Sequence, residues 1–188
     1  CLKPVSIYPQ TTLLGKAFAG VEWLVNRTGV CASNQFDVVA CLRSGPEVDY
    51  PDIQLTITPV AVGDDWEPMR EHSFQIHVGL MRTYSRGEIT LQSVDPATQP
   101  RIFCNYLNDP RDRDILHRGI QIVRDLVEQP AFAELRGAEI FPGEEVQSRT
   151  GLDQCIEEHL ASQWHLSGTA RMGSANDRGA VVDAKGRV

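Results

Sequence analysis

The run Trp164-His165-Leu166-Ser167-Gly168-Thr169-Ala170-Arg171-Met172-Gly173 concentrates the residues of this sequence best suited to chemistry: an imidazole, an aromatic ring and two glycines. Histidine is the side chain whose ordinary pKa lies nearest neutrality, so an imidazole on a glycine-flexed loop suits a general base. The same composition also fits a histidine that only hydrogen-bonds within a buried loop. Trp164 taken alone reads first as a core side chain and second as an aromatic face for a cation. Asp37 follows Ser33-Asn34-Gln35-Phe36 and by itself is a solvated carboxylate at a strand end.

The other titratable groups make poorer constellations. His72 and His77 stand near strand edges without companions, and Cys155 with His159 has the i, i+4 spacing of a helical zinc pair but lacks further ligands. No metal site is expected. His117 sits inside a helical pattern, as a packing or surface residue. Ser167 beside His165 is no hydrolase pair, because the G-x-S-x-G elbow that would present the serine is missing. Arg82, Arg86, Arg111 and Arg113 read as solvated turn and helix-start charges. Nor is there a G-x-G-x-x-G run, whose glycines would let backbone and helix N-terminus approach a pyrophosphate. The chain therefore lacks a Rossmann-type dinucleotide domain.

Elements must position the 164–173 loop, and several are legible. Phe74–Leu80 and Glu88–Ser93 alternate with period two, the mark of strands with one face on a core, and are expected to pair as a hairpin across Arg82–Gly87. Gln54–Thr58 and Phe36–Leu42 are further strand candidates. Asp109-Pro110 offers an N-cap and a first-turn proline, after which Ile115, Leu116, Ile120, Val123 and Val127 recur at helical spacing until Pro130. Thr150-Gly151-Leu152-Asp153 resembles a capping box opening a shorter helix that leads toward Trp164. Strands first and helices after predict an α+β fold, a mainly antiparallel sheet flanked by helices, in one domain spanning 1–188.

Composition limits the function classes. The chain has 188 residues, 41% hydrophobic and 23% charged, close to ordinary globular usage. Its 18 basic against 25 acidic residues give a formal charge of −7, the wrong sign for a nucleic-acid binder and a field that favours cationic ligands. No apolar run approaches the roughly 20 residues that span a bilayer. The five cysteines are odd in number and scattered, which suggests reduced thiols in a cytoplasm, where the Asn26-Arg27-Thr28 sequon has no meaning. The chain opens on Cys1 without a leader, and Val181–Val188 reads as a strand, turn and second strand that stops without a partner. Both ends are expected to be cut.

His165-Leu166-Ser167-Gly168-Thr169-Ala170-Arg171-Met172-Gly173 resembles the H-x-x-G-T-x-x-M-G signature of the glucose-methanol-choline (GMC) flavoprotein oxidoreductases. Ala32-Ser33-Asn34-Gln35-Phe36, Pro51-Asp52-Ile53-Gln54, Asn105-Tyr106-Leu107 and Gln129-Pro130-Ala131 extend the resemblance, most of all toward choline-oxidising members. It implies that these residues are the substrate-binding domain of such an enzyme, without its flavin domain. His165 then matches the histidine placed beside the flavin N5, which accepts the substrate hydroxyl proton or stabilises the alkoxide. Trp164 matches an aromatic residue against the substrate. Asp37 lines up with a glutamate that pairs with the quaternary ammonium, shorter here by one methylene, which suits a shifted or slightly different amine.

The resemblance further implies FAD in the intact protein but none on this segment. A second catalytic His or Asn would lie beyond the fifteen residues that follow Gly173. The implied reaction is oxidation of choline to betaine aldehyde in glycine betaine synthesis, with oxygen or a membrane quinone as electron acceptor, in a cytoplasmic protein peripheral to the inner membrane. The implied partners are a small alcohol and the flavin domain of the same polypeptide, and the bare face could pair with a second copy. Two alternatives stay open: an enzyme for another alcohol on the same framework, and a non-catalytic module that binds a quaternary amine.

Overall fold

Val38–Leu42 (β1), Ile53–Thr58 (β2) and Gln75–Leu80 (β3) form one antiparallel sheet in that order, in a computed structural model that describes every residue except Asp64 and Leu166. Glu88–Thr90 (β4) and Arg101–Phe103 (β5) form a second antiparallel pair. The hairpin expected between Phe74–Leu80 and Glu88–Ser93 is thus a correction: both segments contain strands, but they belong to different sheets. Period-two alternation marks the faces of a strand and carries no information about its neighbour. Gln92 and Ser93 lie past β4, in a connection where the Thr98 N–H donates to the Asp95 carbonyl at 3.0 Å.

Two helices escaped the sequence reading, Tyr8–Thr11 (α1) and Leu13–Asn26 (α2). The Thr12 hydroxyl caps α2 by accepting the Gly15 N–H at 3.1 Å, and left-handed Arg27 (φ 58°) ends it. α2 buries only Ala19 and leaves Leu13, Leu14, Phe18 and Val25 exposed, so it has no apolar stripe against a polar face. Pro110–Val127 (α3) begins on the expected proline, and Pro130 opens a short 3-10 turn just beyond it. Arg149–His159 (α4) is capped by Ser148, whose hydroxyl accepts the Gly151 N–H at 3.1 Å, two residues before the expected Thr150.

Ile53 and Leu55 of β2 and Ile115 of α3 form the buried core, with Leu42, Ile76, Val78, Ile122 and Leu126 packed around them. Burying each large aliphatic side chain stabilises by about 1.5–3 kcal/mol. Gly119 lets α3 approach β3 closely, since a Cβ there would lie 2.4 Å from Val78 Cγ1. Across α3 and α4, His117 Nε2 meets Asp153 Oδ1 at 2.8 Å, Arg113 bridges Asp153 and Glu157 at 3.7 and 2.6 Å, and Arg149 pairs with Asp114.

Antiparallel sheets with helices make the chain α+β. It divides into two compact units interleaved in sequence: residues 1–83 with 111–160, and residues 84–110 with 161–188. The first holds β1–β3 and, apart from Pro110, all four helices; the second holds β4, β5 and the 164–173 loop. Among the described residues no helix is long and apolar enough to cross a membrane.

Candidate functional site

The 164–173 loop leaves α4 through extended Leu160 and turns sharply at Trp164, whose φ is 63° and whose N–H donates to Ser162 Oγ at 3.0 Å. Both Trp164, 84% exposed, and His165 face solvent. His165 is therefore not a buried loop histidine, and Trp164 is not a core residue. Leu166 lies outside the described residues.

The two glycines of the loop have different physical reasons. Gly168 sits at φ +98°, where a side chain is strained whatever the space, and the space a Cβ would take is open. Gly173 makes a close approach instead: a Cβ there would lie 2.8 Å from Ala180 Cβ. That approach is fixed by a parallel bridge between Met172 and Val182, in which the Gly173 N–H donates to the Val182 carbonyl at 3.0 Å and the Val181 N–H to the Arg171 carbonyl at 2.7 Å. The expected terminal strands are reduced to this bridge and a turn.

Charge pairs hold the supporting turns. Asp177 accepts the Gly179 N–H at 2.9 Å and the Arg171 guanidinium at 2.8 Å, and these bonds, the backbone one first, hold its carboxyl below the usual range. Asp183 accepts from the Arg187 guanidinium at 2.6 and 2.8 Å and from the Lys185 and Arg187 N–H groups, with the same consequence. A groove of about 430 Å³ beside the bridge is lined by Gly173, Asp177, Val182, Asp183 and Arg187, not by His165.

Asp37 belongs to the first unit, at the entry to β1, whereas Trp164 and His165 belong to the second. Trp164 and His165 are neighbours on one loop. The Val30–Asp37 segment is tied by its own side chains. Ser33 Oγ accepts the Gln35 N–H at 3.0 Å and donates to Asp37 Oδ1 at 2.7 Å, and Asn34 Oδ1 accepts the Phe36 N–H at 3.1 Å. Gln35 is left-handed (φ 65°), with its side-chain amide donating to the Val30 carbonyl. Asp37 is exposed, and among the described residues Ser33 is the one hydrogen-bond partner of its carboxylate. Ser33 enters the sequence reading only as part of the Ala32–Phe36 run, with no contact to Asp37 assigned, although a hydroxyl four residues before an acid on a strand-entry loop is a visible signal.

Three further histidines have local partners. His72 Nδ1 lies 2.9 Å from Ser6 Oγ, and His117 bridges to Asp153, holding that carboxyl below the usual range chiefly through its hydrogen bond. His159 stacks on Phe141 at 4.4 Å between ring centres and places Nδ1 3.1 Å from the Cys155 carbonyl oxygen. Among the described residues no group of three or more His, Cys, Asp or Glu is disposed to hold a metal ion.

An exposed imidazole beside an exposed indole, on a loop held open at Gly168, can exchange a proton with a bound alcohol and shield one side of it. Comparison with known proteins gives this geometry a context. Residues 83–188, which include the whole loop, match the GMC oxidoreductase family. Over 189 aligned residues the chain is 40% identical to oxygen-dependent choline dehydrogenase 1 of Chromohalobacter salexigens and 43% identical to oxygen-dependent choline dehydrogenase of Brucella anthropi, covering 100% of this chain and 34% of each relative. It thus spans about a third of the length of these curated relatives. The solved structure of formate oxidase from Aspergillus oryzae superimposes with a TM-score of 0.76 at 23% identity, over 96% of this chain and 37% of that one, a likeness of fold.

Proposed function

The chain belongs to the GMC oxidoreductase family, and on that premise we propose that residues 1–188 form the substrate-binding domain of an FAD-dependent dehydrogenase that oxidises choline to betaine aldehyde. The observation that carries this reading is the solvent-facing His165 on a loop whose two glycines are each required by its geometry, inside the segment that matches the family. Choline as substrate is supported by the names of the relatives and by the acidic balance of the chain.

The residues present suit a flat redox group: among the described residues none reaches the space beside Gly168, and His165 is exposed. These are the residues of this chain that would adjoin FAD. When bound, FAD supplies the acceptor for the two electrons that leave the carbinol carbon as hydride. His165 takes the hydroxyl proton on an imidazole nitrogen and, once charged, balances alkoxide character on the substrate oxygen. Trp164 offers its ring face to the trimethylammonium group, an attraction of roughly 0.5–2 kcal/mol. Asp37 supplies the countercharge. The loop needs no chemistry of its own beyond holding the alcohol and moving that one proton. The product aldehyde leads to glycine betaine, and five free cysteines support a reducing cytoplasm, with the protein peripheral to the inner membrane where a quinone would take up electrons.

The test uses the intact protein containing this segment, mixed with choline in the absence of oxygen while flavin absorbance is followed. Rapid bleaching is expected. His165→Ala should keep the flavin and slow its reduction by about 10²–10⁴-fold. An unchanged rate would overturn the role of His165, and a bound flavin that choline leaves oxidised would keep the family and discard choline.

A further inference from the structure

We propose that Ser33 is a positioning residue that sets the preference for a cationic substrate by orienting the Asp37 carboxylate. The inference rests on the reading of Asp37 as the substrate's countercharge. A quaternary ammonium has no N–H to donate, so it attracts a carboxylate only through a Coulomb term that falls with distance and cannot fix the carboxylate's rotation. Asp37 is exposed at a strand entry, where its side chain would otherwise sample several rotamers. The orienting contact must therefore come from the protein, and Ser33 Oγ makes it, donating to Asp37 Oδ1 at 2.7 Å.

Ser33 is itself held for that task. Its oxygen accepts the Gln35 N–H at 3.0 Å, which turns the hydroxyl proton toward Asp37. Gln35 keeps this geometry in a left-handed conformation (φ 65°), with its amide tied to the Val30 carbonyl. Among the described residues Ser33 binds one oxygen of the carboxylate, Oδ1, and the other, Oδ2, is left to face a cation. A hydrogen bond to a charged acceptor is among the stronger neutral-donor contacts, enough to select one rotamer.

The experiment compares choline with its uncharged carbon isostere, 3,3-dimethylbutan-1-ol, in the intact flavoprotein, and reads the ratio of their kcat/KM values. Asp37→Asn should lower that ratio by about tenfold or more, and Ser33→Ala by about 3–10-fold, mainly through the KM for choline. Ser33→Thr keeps the hydroxyl and should return the ratio to within about twofold of the parent. A merely structural role would move both substrates together and leave the ratio alone. If Asp37→Asn collapses the ratio while Ser33→Ala does not, the positioning role is overturned and the countercharge stands. If Asp37→Asn leaves the ratio unchanged, the countercharge falls and the positioning role with it. Should Ser33→Ala fail to fold, Ser33→Cys, similar in size and a weak donor, replaces it with the same expected loss.

Discussion

His77 sits half-buried on β3, opposite Thr56 of β2, and burial pushes its imidazole below the ordinary histidine value. A base with a depressed pKa binds fewer protons folded than unfolded between the two values, so stability in that interval rises with pH. His77 therefore contributes fully above about pH 6.5, and its contribution is lost as pH falls through the folded value. Asp153, held low by His117, works in the same sense in a more acidic window: its contribution is present above about pH 4 and lost below. Urea midpoints measured from pH 5 to 7 should rise with pH, and His77→Gln should flatten that slope. A slope unchanged by the substitution would assign it to another group. Residues differ in how far the sequence discloses them. Trp164 and His165 stand out in the sequence because their neighbours form a specific motif, and both face solvent. His117 and Asp153 lie 36 residues apart, and no local pattern could have paired them.

α3 was legible almost to the residue, because Pro110 fixes its first turn and its apolar side chains recur at helical spacing. α2 was not, since a helix with apolar residues on most faces offers no periodicity to detect. Sheet partners were misassigned for a related reason: alternation identifies strands, while pairing is decided by long-range packing on Ile53 and Leu55. That packing can be tested at Gly119, where two effects of alanine oppose each other. Alanine would favour the helix by about 1 kcal/mol over glycine. Its Cβ would also meet Val78 Cγ1 at 2.4 Å, and overpacking against a stiff β-branched side chain costs about 1–3 kcal/mol. The clash should win, so Gly119→Ala is expected to lower stability by about 1 kcal/mol. Combining it with Val78→Ala should cost less than the sum of the two single changes, a coupling read from a double-mutant cycle on denaturation midpoints. Additive costs would mean that helix and strand do not meet there.

At the scale of the whole chain, the two units are stabilised by different means. Every buried apolar side chain among the described residues lies in the unit formed by residues 1–83 and 111–160. The other unit, which carries Trp164 and His165, has β4 and β5 exposed at every position, and its C-terminal segment is held by single hydrogen bonds and surface ion pairs such as Arg171–Asp177 and Arg187–Asp183. Exposed pairs of this kind contribute little and are screened by salt. The amides of β2, bonded on both sides and backed by the core, should therefore exchange with solvent most slowly. Those of the Gly173 and Val181 bridge should exchange far faster. Raising the ionic strength separates the causes, because it weakens the ion pairs while leaving buried aliphatic contacts nearly untouched. Exchange over residues 171–187 should then quicken, with β2 unchanged. Equal protection in the two regions, or a uniform response to salt, would show that the loop bearing His165 draws its order from something other than its own polar contacts.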